Sequence, residues 1–162
     1  MESRTKLFGH PVHPMLVVFP LGLLGTAVVF DIIRFATGNG YWSEIAFWMM
    51  AAGIAAGLVA APFGAIDWMA IPSGTRASRV GFLHGFGNVV VLALFALSWW
   101  MRRDVPGVPG ALALTASFLG FLLALATGWL GGELVDRLGV GVDEGANVNA
   151  PSSLTHRRAI GG

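Results

Sequence analysis

His10-Pro11-Val12-His13-Pro14 runs directly into the apolar stretch Met15 to Phe35. About 20 consecutive apolar residues are enough for a helix to cross a bilayer, so this stretch reads as a membrane span. It is too long for the core of a secretory signal, and no Ala-x-Ala-like cleavage site follows it. The rest of the chain agrees. Of 162 residues, 55% are hydrophobic and 12% charged, and the mean hydropathy is +0.70. A soluble domain usually carries about a quarter charged residues. A lipid solvent accommodates such a composition, whereas water does not.

Three further spans follow. The first is expected over about 14–35, with Pro14 in the first turn, where its missing N–H costs nothing, and Pro20 bending the interior. Thr37-Gly38-Asn39-Gly40 is a turn. The second span runs over about 41–71 with a bend at Pro62, and Pro72-Ser73-Gly74-Thr75 ends it. The third covers about 78–101. Asp104 to Gly110, with Pro106 and Pro109, is a breaker loop, and the fourth span covers about 111–138. The spacing predicts an all-α integral membrane four-helix antiparallel bundle. Its parts are a short N-terminal segment (1–9), the four-span domain (10–142) and a flexible C-terminal tail (143–162) with no apolar period.

Four spans leave both termini on one side, side A. It carries Arg4, Lys6, Arg76, Arg79, Arg137, Arg157 and Arg158, seven cations, against three on side B (Arg34, Arg102 and Arg103). Positive residues favour the cytoplasm. The expectation is therefore a multi-pass protein of the inner (plasma) membrane with cytoplasmic termini. Tyr41, Trp42, Trp99 and Trp100 fit an aromatic belt on side B, and Trp68 and Trp129 one on side A. Glycines four apart (Gly53 with Gly57, Gly81 with Gly85, Gly128 with Gly132) read as close helix packing. The glycines beside His84 (Gly81, Gly85 and Gly87) also read as leaving room for a planar cofactor.

Ionisable residues at membrane depth are costly and face the bundle interior. His10, His13, Asp67, His84, Asn88 and Glu133 are all expected near side A, brought there by four helices, with Asn88 one turn beyond His84. Side B offers Asp31 and Arg34, spaced for a local salt bridge. Three readings of the side-A group stand. It is a structural network of paired polar groups. Or it is a cofactor site: haem b with His13 and His84 as axial ligands and Asn88 beside them, or a divalent metal ion held by His10, His13, Asp67, His84 and Glu133. Or it is a proton or ion path, against which the sparse polar lining toward side B argues. His156, beside Arg157 and Arg158, reads as solvated. With no cysteine in the chain, thiolate metal sites and iron–sulfur clusters held by this chain alone are excluded. The scattered charges exclude a nucleic-acid surface. No phosphate loop, Ser–His–Asp order or metalloprotease His pair appears, so no catalytic residue is assigned and enzyme activity is left open.

Several motifs in order resemble one family: His10-Pro11-Val12-His13-Pro14, Phe19-Pro20, Ile66-Asp67-Trp68, Ile71-Pro72, Thr75, His84, Asn88, Gly128-Trp129-Leu130-Gly131-Gly132-Glu133-Leu134 and Gly139-Val140-Gly141-Val142. Together they resemble the bacterial membrane-protein family called domain of unknown function 2231, over about residues 8–142. The resemblance implies a four-span membrane domain without an established activity. Some relatives are fused to a Rieske-type iron–sulfur domain, which implies electron transfer. The family pattern often has Tyr-Arg-His before the final Gly-Val-Gly-Val. Here Asp136-Arg137-Leu138 stands instead, so a further histidine ligand is not expected. The functional expectation is a haem- or metal-binding redox domain in the lipid bilayer, served by a redox partner protein and able to form a homo-oligomer. Its alternative is a non-catalytic scaffold or partner subunit whose polar cluster is structural.

Overall fold

The computed structural model describes residues 1–154. Four long helices form: α1 (Val12–Thr37), α2 (Tyr41–Met69), α3 (Arg76–Arg102) and α4 (Ala111–Gly132). All four are long and apolar enough to cross a membrane. α1 and α2 continue through Pro20 and Pro62. α1 stops where Gly38 turns left-handed (φ 70°) and its N–H caps the Arg34 carbonyl, the common glycine exit from a helix. α3 starts at Thr75, whose hydroxyl accepts from the Ser78 N–H, a standard N-cap. α4 is shorter than expected, because Glu133–Arg137 continue it as a π-helical turn.

The chain doubles back twice. Packing is heaviest within the hairpins α1–α2 and α3–α4, lighter between α2 and α3 and lighter again between α1 and α4, while the α1–α3 and α2–α4 pairs touch least. α1 and α3 therefore face each other across the bundle. The core holds Leu24, Ala27, Val28, Ala46, Met50, Val91 and Phe95. Large apolar residues such as Phe19, Leu21, Leu58, Phe82, Leu122 and Trp129 stay exposed, as expected where the outer solvent is lipid.

The two hairpins are built alike. A Cβ on Gly53 would meet Leu24 and the Cβ of Leu23; one on Gly120 would meet Phe95 and the Cβ of Leu94. Adding 71 to a position on α1, or 67 to one on α2, gives the residue in the equivalent place in the second hairpin. Equivalent helices run in the same direction, so the pseudo-twofold axis lies along the bundle. The expected small-residue packing thus holds at Gly53, at Gly57 (against Leu92) and at Gly81 (against Trp68). Gly85, Gly128 and Gly132 have nothing within reach of an added Cβ, so they are not packing glycines.

On side A the N-terminal segment is ordered rather than merely polar. Strands β1 (Lys6–Leu7) and β2 (His10–Pro11) pair antiparallel around Phe8-Gly9. Both turn residues have positive φ (51° and 87°), the backbone of the tight two-residue hairpin turn. The Ser153 hydroxyl donates to the Phe8 carbonyl at 3.1 Å, so the start of the tail folds back onto this hairpin. His156, Arg157 and Arg158 lie outside the described residues.

Candidate functional site

His13 lies in the first turn of α1 and His84 about two turns into α3. Their ring centroids are 6.5 Å apart with planes at 88°, and both rings are half-buried. Each imidazole is held the same way. His13 Nδ1 donates to the Ala60 carbonyl at 3.0 Å, and His84 Nδ1 to the Thr127 carbonyl at 2.9 Å. A carbonyl only accepts, so both rings carry a proton on Nδ1, and in the neutral tautomer this selects, the lone pair is on Nε2. One turn beyond each carbonyl stands a glycine. A Cβ on Gly64 would come within 2.7 Å of His13 Cε1, and one on Gly131 within 3.2 Å of His84 Cε1. His13 with Ala60 and Gly64, and His84 with Thr127 and Gly131, are the same device in the two hairpins.

The halves differ in what stands beside the second histidine. Asn88 sits on the His84 face, as its i+4 spacing requires. Its Oδ1 accepts from the Thr127 hydroxyl at 3.0 Å. Its amide nitrogen is thereby fixed as the donor. It donates to the His84 carbonyl (2.9 Å) and to His84 Nε2 (3.2 Å).

The other expected members are not gathered around this pair. His10 is exposed on β2, with Nε2 3.3 Å from the Ser153 hydroxyl. Asp67 accepts from the Ser3 hydroxyl (2.7 and 2.9 Å), the Arg4 N–H (2.8 Å) and the Thr5 N–H (3.3 Å). It clamps the N-terminal segment to the end of α2. Glu133 pairs with Arg76, tying the start of α3 to the turn after α4. Among the described residues no group of three or more His, Asp or Glu could hold a metal ion. The five-ligand cluster of His10, His13, Asp67, His84 and Glu133 is therefore corrected to a histidine pair and two separate structural clamps. All of these residues lie toward the same end of the bundle, but each carboxylate has a closer donor or cation.

At side B the expected Asp31–Arg34 bridge is replaced by one that spans the bundle. Arg102 Nη1 lies 2.9 and 2.8 Å from the two Asp31 oxygens, and both side chains have no exposed surface. The Ser43 hydroxyl donates to Asp31 at 2.9 Å. Arg102 donates to Ser98 (3.2 Å) and Ser117 (3.1 Å). All four helices contribute. Arg102 is thus an interior charge rather than one of the side-B surface cations, and the spacing carries a signal of this. His13 to Asp31 and His84 to Arg102 are both 18 residues, five turns of about 3.6 residues, so each pair shares a helix face. The polar ends are about 27 Å apart along each helix. Between them Leu24, Val28, Val91 and Phe95 are buried, so the interior is closed and apolar.

Four membrane-length helices with lipid-compatible outer faces, closed by polar groups at both ends of the interior, define a small polytopic membrane protein. Residues 9–144 match the family described as predicted membrane protein (DUF2231), and the chain belongs to that family. No curated protein matches it, and neither does any solved structure.

Proposed function

We propose that this domain holds one metal centre, haem iron or a bare divalent ion, between His13 and His84, and that it serves electron transfer in the membrane. The observation that carries this reading is the matched pair of imidazoles, each with Nδ1–H fixed on a backbone carbonyl. Ligating histidines usually have such an outer partner, which sets the tautomer and leaves Nε2 for the metal. Two imidazoles sharing one metal, with bonds of about 2.0–2.1 Å, have ring centroids roughly 5–6.5 Å apart depending on the angle between them, and the 6.5 Å here is at the upper end of that range. Haem held by two histidines supplies one-electron chemistry. The chain's part is to fix ring orientation from two glycine-backed seats, to surround the pair with apolar helices, and to cap side A with the N-terminal hairpin. The closed interior is poorly suited to an ion path. A redox partner protein would dock on side A, nearest the histidines. From its seven cations against the two left on side B, Arg34 and Arg103, once Arg102 is set aside as a buried charge, we infer that side A is cytoplasmic and the membrane the inner one; fusion reporters at the C-terminus test this.

The test is an absorption spectrum, oxidised and dithionite-reduced, with metal analysis, on protein produced with added haem precursor and metals. A Soret band that sharpens on reduction and is lost in His13→Ala and His84→Ala supports haem. One equivalent of metal without a Soret band supports a bare ion. A folded, colourless and metal-free preparation overturns both. It leaves the scaffold reading, which the Asn88 bond to His84 Nε2 favours. In that case Asn88→Ala destabilises the fold about as much as His84→Ala. A metal site predicts instead that Asn88→Ala retains the cofactor, because that bond gives way to the ligand.

A further inference from the structure

A second site lies on the outer surface at side A. A cleft of about 360 Å³ opens between α2 and α3, lined by Trp68, Ser78, Arg79, Phe82 and Leu83. The hollow is shallow and open to the outside, and its Trp68 wall is held in place. Trp68 Nε1 donates to the Ser78 carbonyl at 2.9 Å, which ties the end of α2 to the start of α3. The indole lies directly over Gly81, where a Cβ would meet Trp68 Cδ1 at 2.6 Å. One wall continues along the helix as stacked Phe82 and Phe86, with ring centroids 5.9 Å apart. Phe82, Leu83 and Phe86 are all more than half exposed. At the mouth stands Arg79. Its neighbour Arg76 is neutralised by Glu133, but the Arg79 side chain has no ion pair or hydrogen bond among the described residues.

We infer that this cleft binds an anionic phospholipid of the side-A leaflet, its phosphate on Arg79 and an acyl chain along Phe82, Leu83 and Phe86. The charge is complementary, since an unpaired guanidinium at the interface meets a headgroup phosphate. The geometry follows the bilayer: tryptophan and arginine lie at headgroup level, and phenylalanines run inward toward the hydrocarbon. Basic pockets between membrane helices take acidic lipids in this way. A zwitterionic lipid fits the apolar wall equally well but brings its own cation to Arg79, so selectivity for net negative charge is the distinguishing property.

The full chain is reconstituted into phosphatidylcholine vesicles containing rising fractions of phosphatidylglycerol with brominated acyl chains, and tryptophan quenching is followed. Comparison with Trp68→Phe isolates the Trp68 component. Half-quenching of Trp68 is expected at a lower fraction of brominated phosphatidylglycerol than of brominated phosphatidylcholine. Arg79→Gln raises that fraction about fivefold, the effect of one surface arginine. Arg137→Gln, outside the cleft, leaves it unchanged. Equal quenching by the two lipids, or an Arg79→Gln curve that overlays the wild type, overturns the proposal. Both substituted arginines are at the surface, so the variants are expected to fold, and circular dichroism checks that they do.

Discussion

Replacing Arg102 with Leu should be the most damaging single change in the bundle that leaves every apolar contact in place. In the wild type the guanidinium reaches Asp31, Ser98 and Ser117, and no part of the Asp31 or Arg102 side chain is exposed. Without it, the Asp31 carboxylate keeps only the Ser43 hydroxyl as donor. Two magnitudes compete. Hydrogen bonds between membrane helices are worth about 0.6 kcal/mol on average, so three lost bonds alone predict about 2 kcal/mol. Removing one partner of a buried ion pair costs about 3–5 kcal/mol, because the remaining charge is stranded. The second effect should win, as no water reaches Asp31. The double variant Asp31→Leu/Arg102→Leu removes the stranded charge as well. Ser98 and Ser117 keep acceptors at the Ala113 and Leu114 carbonyls, so the double variant should recover most of the stability, as replacing a buried pair by apolar residues often does. Equilibrium unfolding in mixed micelles across the four proteins of the cycle measures the coupling. An Arg102→Leu cost near 1 kcal/mol, or a double variant equal to the sum of the singles, would refute the reasoning.

Gly64→Ala should cost about 1–3 kcal/mol by forcing the His13 ring from its seat and should lower metal or haem occupancy; Gly131→Ala, with its wider 3.2 Å approach, should do the same more weakly, and thermal melts rank the two. Asp67→Ala should free the N-terminal segment. Losing a charge-assisted clamp worth about 1.5 kcal/mol should speed amide exchange at residues 3–7 about tenfold, with the helices unaffected. The chain lacks cysteine, so single cysteines report access directly. Val91→Cys should resist a water-soluble thiol reagent that labels Leu154→Cys fully, and rapid labelling at position 91 would show that the interior is not closed.

The fold was legible because a bilayer asks a simple question of a sequence: where are the long apolar runs, and which residues interrupt them? Length and hydropathy answer for all four helices, and Gly38 and Thr75 mark two of their ends. The histidine pair was legible for a similar reason, since depth along a helix follows from counting. Lateral position was harder to read. Asp67 and Glu133 sit at the expected level, but Asp67 is held by Ser3, Arg4 and Thr5 and Glu133 by Arg76. Nothing in the spacing says that an N-terminal hairpin will fold back to meet a carboxylate more than 60 positions away. Ala60 and Thr127 enter through backbone carbonyls, which no side-chain motif records. Arg102 was misjudged because its position at the end of α3 resembles that of any interfacial cation. Only its register with His84 distinguishes it.

That register bears on how the hairpins choose their partners. Two copies of the first hairpin packed about the same axis would bring His13 against His13 and Asp31 against Asp31. Neutral imidazoles can meet across a twofold axis without penalty. Two buried carboxylates, with no cation between them, would face a cost of several kcal/mol. Two copies of the second hairpin would set Arg102 against Arg102 with the same outcome. Only the pairing of one hairpin with the other gives attraction at side B. The histidine end is therefore compatible with the like and the unlike pairing, and the Asp31–Arg102 end selects the unlike one, a specificity obtained by penalising the wrong partner. The two ends divide the work: side B fixes which hairpins associate, and this leaves side A free to keep a near-symmetric pair of imidazoles. On this argument exchanging the charges, Asp31→Arg with Arg102→Asp, should retain the fold better than either single change. If the exchanged protein is no more stable than the singles, the pair's role lies in its local serine contacts and not in choosing partners.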